Sequence, residues 1–223
     1  SEIRAAEVAL QVFDESSSQV LPAAFLEVVA SGIAAIWRKG DYARSCSMLC
    51  ESAASAGRLV EGVKPLLAAP AYIDQLVDAM RAAEISRQGR EAVLELFRQI
   101  GSDAVRTLFE RLVTEKNRSL RLFIIGILSE FGEGIVPYLT TQMAGRPWFV
   151  LRNVALLLGK TRSDLAIHAL EQIGTHSDKR VRLEVLEALA FIKGPRAEAV
   201  IGRSLTDPAP VVAEAAVSWL VQL

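Results

Sequence analysis

The chain has 223 residues and a formal net charge of −1 at pH 7, so no overall field favours nucleic acid or an acidic membrane. Apolar residues make up 51% of the sequence and aromatic residues only 6%. This composition is typical of packed helices with aliphatic cores and excludes a disordered chain. No apolar run reaches the ~18 residues that a membrane-spanning helix needs.

The first 57 residues predict helices without a clear repeat. Helical spacing of apolar residues predicts helices at 2–13, 18–38 and 42–56, which we assign to an amino-terminal helical cap at residues 1–57. Cys46 and Cys50 share a face of the third helix, with no histidine or other cysteine at metal-ligand spacing. We therefore expect buried thiols, no metal site and a reducing, cytoplasmic setting.

From residue 58 the sequence repeats at intervals of about 31 residues. Residues 58–89 form a degenerate unit with predicted helices at 59–67 and 72–83, and 31-residue units follow from residue 90 in an array that covers 58–223. First helices are predicted at 90–100, 119–131, 148–159, 179–192 and 210–221, and second helices at 103–113, 134–143, 164–174 and 196–205. We predict an all-α fold, a right-handed α-α superhelix (helical solenoid) of about fourteen helices.

Three columns of apolar residues support this register. They comprise Phe123, Val154, Val185 and Ala216; Ile127, Leu158, Leu189 and Leu220; and Leu108, Leu139, Leu170 and Ile201. Gly101, Gly132 and Gly194 mark the joint between first and second helices, with Ser163 in the same slot. The first helices are apolar nearly all round, so the units before and after must cover them.

Three segments carry a resemblance to a known repeat family. Residues 206–216 (TDPAPVVAEAA) resemble the D-P-x-x-x-V-R-x-x-A-A opening of a HEAT repeat, with Ala213 at the arginine position. Residues 176–182 (HSDKRVR) keep the Val-Arg part, and 147–153 (PWFVLRN) is similar to a variant in multi-repeat bacterial HEAT proteins. The chain thus resembles the short bacterial HEAT-like repeats also found in phycobilin lyases, over about residues 90–223. This resemblance implies a packing architecture and no particular chemistry.

Arginines recur in the first helices. Arg90, Arg121 and Arg152 are 31 residues apart, whereas Arg182 lies one position before the next site, Leu183. One hypothesis is a structural ladder in which each guanidinium caps carbonyls or pairs with an acid of the neighbouring unit. The alternative is an anion-binding stripe. We favour the ladder, because like charges about 10 Å apart, the helix spacing, each need a partner.

Local motifs for catalysis are absent from the sequence. It has no glycine-rich phosphate loop, G-x-S-x-G, H-E-x-x-H or cysteine cluster, and His168 and His176 are expected to face solvent. We therefore expect no enzyme activity and no cofactor. Trp148 is interpreted as a wedge between repeats rather than a binding platform, and Asn153 as either a local hydrogen-bonding residue or part of a site.

The solvent face of the second helices is the predicted binding surface. The candidate partner-binding residues are Arg106, Tyr138, Thr141, Gln142, His168, Gln172 and Arg203. Their mixed polarity, with Tyr138 as an aromatic anchor, favours a peptide or helix of a partner protein over a phosphate backbone. We predict a protein–protein interaction scaffold without catalysis of its own, with no nucleic-acid or membrane partner.

Other functions remain as alternatives. Residues 90–183 carry 14 Lys/Arg against 10 Asp/Glu, which would suit nucleic-acid binding or the base excision from DNA known for some HEAT-like proteins. Small-molecule attachment of the bilin-lyase kind is a further alternative. The chain starts at Ser1 and stops at Leu223 inside a helical pattern, so we expect a fragment of a larger protein. Its last helix would then expose Val212, Ala216, Trp219 and Leu220 and self-associate weakly.

Overall fold

The computed structural model describes residues 2–14, 23–39, 41, 68–81 and 87–223. They form twelve α-helices and two short 3-10 helices, and no β-strand occurs among them. The chain divides into two compact units, Ser1–Thr114 and Glu115–Leu223. The predicted boundary after residue 57, the predicted helix at 42–56, and both cysteines lie outside the described residues.

The first unit contains five helices among its described residues. They are α1 (Glu2–Asp14), α2 (Ala23–Arg38), α3 (Pro70–Arg81), α4 (Arg87–Ile100) and α5 (Ser102–Thr114). Helix α1 packs on α2, and α3 contacts both α4 and α5. Gly32 allows the α1–α2 approach, because a Cβ at this position would collide with Ala6. Val77, Phe97 and Leu108 are fully buried in this unit.

The second unit is a double layer of helices. Its helices are α6 (Arg118–Ser129), α7 (Val136–Thr141), α8 (Trp148–Lys160), α9 (Leu165–Ile173), α10 (Lys179–Ile192), α11 (Pro195–Arg203) and α12 (Pro210–Gln222). The first helices α6, α8, α10 and α12 contact one another in that order, and so do the second helices α7, α9 and α11. The predicted all-α helical solenoid is thus confirmed, with a helix number near the predicted fourteen.

The starts of the first helices follow from local sequence. The Asn117 side chain accepts a hydrogen bond from the Leu120 N–H (3.1 Å), and Asp178 accepts one from the Arg180 N–H (2.9 Å), so both residues are N-caps. Pro147 precedes α8 and Pro210 opens α12, where proline's missing N–H costs no helical hydrogen bond.

The repeat is not 31 residues long at every position. Among the first helices, the buried column contains Ile124, Val154, Val185 and Ala216, so the prediction for Phe123, which is half-buried, is wrong by one residue. The second-helix column of Leu108, Leu139, Leu170 and Ile201 is fully buried at a constant spacing of 31. The segment joining α6 to α7 is therefore one residue shorter than its counterparts in the two later repeats.

The joint between helices shows the same one-residue difference. Gly101 and Gly132 have φ of 71° and 57°, but the next positive values belong to Arg162 (52°) and Lys193 (65°). Arg162 rather than the predicted Ser163 therefore occupies the slot. Lys193 has ψ of 179°, a backbone region that is nearly restricted to glycine, and its N–H donates to the Leu189 carbonyl (2.9 Å).

The last helix exposes apolar residues on one face only. Val217 and Val221 are 52% and 82% exposed, whereas their equivalents in α10, Leu186 and Ala190, are 1% and 4% exposed because α12 lies against α10. Val212 and Ala216, which the sequence had placed on the uncovered surface, are fully buried. Across the described residues, no single helix is long and apolar enough to cross a bilayer, and one bent pair reaches that length only across a 110° bend.

We expect Lys193→Gly to raise the free energy of unfolding by about 1 kcal/mol, since relief of about 1–3 kcal/mol of backbone strain exceeds the entropy that glycine loses. Urea denaturation monitored by circular dichroism measures the change. Lys193→Ala removes the charge but keeps Cβ, so it serves as the control and should not stabilise the chain. An equal gain for both variants would show that charge, and not backbone conformation, is the cause.

Candidate functional site

A shielded ion pair joins two turns of the second unit. Arg182 Nε and Nη2 donate to the two carboxylate oxygens of Asp207 at 2.7 and 2.8 Å, and the two side chains are only 11% and 8% exposed. Arg182 Nη1 also donates to the carbonyls of His176 (2.7 Å) and Ser177 (3.1 Å). The hydrogen bonds from Arg182 lower the pKa of Asp207. Arg182 therefore ties the α9–α10 turn to the turn before α12.

The arginines spaced at 31 make three different sets of contacts. Arg121 Nη1 donates to the carbonyls of Glu115 (3.1 Å) and Lys116 (2.8 Å), six and five residues earlier, as Arg182 does in its own repeat. Arg152 instead pairs with Glu184 of α10 at 3.0 Å. Arg90 is exposed on α4 and makes no ion pair with the residues that the structure describes. Arg182 is thus the structural equivalent of Arg121.

Glu184 responds to the opposing effects of burial and charge. Its side chain is 13% exposed, and burial raises the pKa of its carboxyl while the Arg152 guanidinium opposes that rise. This pairing joins α8 to α10 across the first-helix layer. The neighbouring Asn153 is half-buried on α8.

Trp148 lies at the contact between α8 and α10. The Arg180 guanidinium stacks over its indole ring at 3.4 Å from the centroid, and Phe149 meets the ring edge-on with centroids 6.0 Å apart. Arg180 also donates to both carboxylate oxygens of Asp178, at 3.0 and 2.6 Å. That side-chain hydrogen bonding is the main reason that the pKa of Asp178 falls to about 2. Trp148 therefore contacts the next repeat, as a wedge would.

Six of the seven predicted partner-binding residues belong to the second-helix layer of the second unit. Tyr138 and Thr141 are on α7, Gln142 follows that helix, His168 and Gln172 are on α9, and Arg203 ends α11. All six side chains are exposed or half-buried. The seventh, Arg106, is exposed on α5 of the first unit, where it pairs with Asp103 at 2.7 Å.

Hydrogen bonds connect these six residues and extend the set. Arg203 Nη1 donates to Glu171 Oε1 at 3.1 Å, which links α11 to α9. His168 Nε2 and Gln172 Nε2 are 3.2 Å apart, and the Thr141 hydroxyl donates to the Tyr138 carbonyl at 2.7 Å. Glu171 was missed by the sequence reasoning, because only the stacking of α11 on α9 brings it beside Arg203.

A cleft of about 490 Å³ lies beside this surface, between the α9–α10 turn and the turn before α12. Val185, Leu189 and Val200 supply its apolar lining, and Glu171 and Arg203 are among its polar lining residues. The Arg182–Asp207 pair described above forms part of its wall. Sequence reasoning did not find this cleft, since it is assembled from two turns that are about 30 residues apart in the chain.

His176 also lines the cleft and has a defined hydrogen bond. Its Nδ1 accepts from the Asp178 N–H at 3.0 Å, so the neutral ring carries its proton on Nε2. Nε2 is therefore the ring nitrogen that can donate to a ligand. Among the described residues, no group of three or more histidine, cysteine, aspartate or glutamate side chains could hold a metal ion. The site thus combines an apolar lining with donors and acceptors of both charges.

Comparison with known proteins supports the repeat architecture. Residues 136–220 match the family model for HEAT repeats. The HEAT-repeat prediction is confirmed for this part of the chain, whereas the bacterial, phycobilin-lyase type stays a prediction. No curated protein sequence matches the chain.

Several solved structures are similar at a low level. Human deoxyhypusine hydroxylase in complex with glycerol is 16% identical over 100% of this chain and 98% of its own, with a TM-score of 0.43. Cex1p is 13% identical over 99% of this chain and 52% of its own, with a TM-score of 0.41. An engineered protein is 19% identical, covers 97% and 95%, and has a TM-score of 0.37. These scores carry no argument about function.

We expect Arg182→Met to lower the free energy of unfolding by about 3 kcal/mol, because it leaves the carboxylate of Asp207 shielded and unpaired. Arg152→Met removes an exposed ion pair and is the matched control, with an expected loss below about 1 kcal/mol. Arg121→Met removes two carbonyl hydrogen bonds and should cost about 1–3 kcal/mol. Chemical denaturation of the three variants measures these values, and equal losses for Arg182 and Arg152 would contradict the assignment.

The dependence of stability on pH should carry opposite signs at two carboxyls. The pKa of Asp178 is about 2 in the folded chain against an ordinary value of 3.8, so its contribution is present above pH 4 and is lost as pH falls towards 2. Asp178→Asn retains an N-cap and should reduce that acid loss. The raised pKa of Glu184 means that its ionisation reduces stability as pH rises, and Glu184→Gln should remove this loss. Unfolding curves between pH 2 and 7 test both, and changes of the same sign would contradict the prediction.

Proposed function

We propose that the chain is an interaction scaffold without catalytic activity, which binds a segment of a partner protein along the exposed side of α7, α9 and α11. The observation that carries this proposal is the cleft beside Arg203, which adds an enclosed anchor point to an otherwise open helical surface. Interfaces concentrate their binding energy in such pockets, where a single side chain becomes fully desolvated.

The size and chemistry of the cleft fit one or two side chains of a peptide. Its volume of 490 Å³ lies within the range of about 300–1,000 Å³ that is usual for ligand pockets. Val185 and Val200 offer an apolar contact for an aliphatic or aromatic anchor. Glu171 and Arg203 form an exposed ion pair, which costs little to rearrange, so both can turn to a partner's polar groups.

The walls of the cleft are held before any ligand arrives. Arg182 makes four hydrogen bonds to groups on both turns, through His176, Ser177 and Asp207. Asp207 in turn accepts from the Ala209 N–H at 2.8 Å, next to the start of α12. A site with fixed walls loses less entropy on binding, which favours affinity for a short segment.

The charges along the second helices favour a peptide over a phosphate backbone. Arg203 is neutralised by Glu171, and α11 carries Glu198 as well as Arg196 on its exposed side. A nucleic-acid groove requires cations in most contact positions, since affinity comes from phosphate neutralisation. We therefore propose a protein partner and place nucleic-acid processing and bilin attachment behind it.

Selection of binders from a random peptide library against the purified chain tests this proposal. Val200→Phe fills the cleft and Arg203→Ala removes its rim cation, so we expect each to weaken a selected peptide by about tenfold, equivalent to ~1.4 kcal/mol. Tyr138→Ala should weaken it further along the layer, and Arg106→Ala reports whether the first unit contributes. Fluorescence anisotropy of the labelled peptide measures the dissociation constants.

The control is Lys160→Ala, an exposed substitution at the end of α8, which should leave the affinity unchanged. Circular dichroism establishes that each variant is folded. Peptides whose affinity is indifferent to both Val200→Phe and Arg203→Ala would place the binding surface elsewhere. Turnover of a substrate by the purified chain would contradict the absence of catalysis.

A further inference from the structure

We propose that the second unit has another interaction surface, which binds an acidic peptide segment. This surface, the basic edge, consists of the turns that precede α6, α8 and α10 together with the first residues of those helices, at 115–121, 144–149 and 175–182. It is distinct from the exposed side of α7, α9 and α11. The proposal therefore does not depend on the function proposed above.

The basic edge has a strong excess of positive charge. Its three segments contain seven lysine and arginine side chains and two carboxylates, those of Glu115 and Asp178. The turns at the opposite ends of the helices, at 129–135, 160–165 and 192–196, contain four cations and three carboxylates. Positive charge is thus concentrated at one edge of the unit, although the whole chain has a net charge of −1.

The fold brings the three segments together. Helix α8 contacts both α6 and α10, and the 3.4 Å stacking of Arg180 on Trp148 fixes the start of α8 beside the start of α10. The partly positive amino-terminal ends of three neighbouring helices add to the potential of the side chains. Neutralising these charges is favourable for a ligand that carries carboxylates.

Some of the cations are already committed to the fold and others are available. Arg121 and Arg182 donate to turn carbonyls, and Arg180 is held by Asp178. The side chains of Lys116, Arg118 and Lys179 are exposed, and none of them forms an ion pair or hydrogen bond with any residue in the described part of the chain. These three cations supply the electrostatic contacts that a ligand would use.

An exposed aromatic ring lies in the middle segment. Phe149 is 44% exposed at the start of α8, and it touches the Trp148 ring on its other side. An aromatic ring flanked by cations offers apolar contact between charged contacts. The ligand that fits the basic edge is therefore an acidic segment that also carries an apolar or aromatic side chain.

The spacing of the cations favours a peptide over single-stranded nucleic acid. Packed helices are about 8–10 Å apart. An extended peptide advances about 3.3 Å per residue, so carboxylates on every third residue meet cations of successive repeats. A long polyanion would also meet the first unit, in which 15 Asp/Glu outnumber 12 Lys/Arg. A short acidic segment avoids that unfavourable field.

A defined probe tests the proposal on the purified chain. It is a fluorescein-labelled ten-residue peptide with glutamate at every third position and one central phenylalanine, compared with the same peptide carrying glutamine. We expect measurable binding of the glutamate peptide at low salt, at least tenfold tighter than that of the glutamine peptide. Raising the ionic strength from about 0.01 to 0.15 M shortens the Debye length from about 30 to 8 Å and should weaken the complex.

Charge reversal locates the contact. Arg118→Glu combined with Lys179→Glu should weaken the glutamate peptide at least tenfold, and the variant should fold because glutamate is favourable in the first turn of a helix. Lys160→Glu combined with Arg196→Glu changes the opposite edge by the same charge and should leave binding unchanged. Val200→Phe should also leave it unchanged, which separates this surface from the cleft.

Several results would overturn the proposal. These are no binding of the glutamate peptide at low salt, equal binding of the glutamine peptide, or equal losses in the two charge-reversed variants. Tighter binding of a fifteen-nucleotide oligothymidine than of the peptide, lost on Arg118→Glu with Lys179→Glu, would assign the basic edge to nucleic acid instead.

Discussion

The second unit depends on the close approach of α8 to α10 at Gly159 and Ala188. A Cβ on Gly159 would lie 2.6 Å from the Cα and 2.7 Å from the Cβ of Ala188, which no real structure tolerates, so only glycine allows this distance. The two small residues let the helix backbones meet, and longer side chains can then interact on either side of the contact. Arg152 reaches Glu184 and Trp148 reaches Arg180 only because this contact fixes the two helices side by side.

The same packing explains why the polar contacts lie at the helix ends. The faces between successive first helices are filled by aliphatic side chains such as Val154 and Val185, which leave no space for a charged group. Charged side chains are excluded to the turns, where Arg182 finds carbonyl and carboxylate partners. A shielded ion pair adds little net stability compared with apolar packing, but it is costly to break. Its role here is to hold two turns at a set distance, which gives the cleft fixed walls.

The sequence predicts the architecture well because packing requires a repeated pattern. Leu108, Leu139, Leu170 and Ile201 are all fully buried at the predicted spacing. The register of α6 was predicted wrongly by one residue at Phe123, because a shorter connection to α7 is compensated by a longer one elsewhere and the average period is unchanged. Such a shift is visible only in the backbone, where Arg162 takes the positive φ that the sequence pattern assigned to its neighbour. Glu171 and the cleft escaped prediction for a related reason, since turn geometry joins residues that share no periodic position.

Function in a repeat array depends on the positions that packing leaves free. Within each repeat, a first helix must match its neighbours on two faces, so its buried residues report on the fold and not on a ligand. The exposed side of α9 and α11 and the turns before α6, α8 and α10 have no such constraint. Arg203 and Lys179 can change without disturbing a buried column, and they carry the charge that differs from one surface to the other. The two surfaces therefore arise from one periodic scaffold, and their separate charge patterns allow one unit to select two chemically different segments. The HEAT-repeat match describes the positions that packing constrains, which is why it identifies the scaffold while the choice of ligand is made by residues outside the repeat pattern.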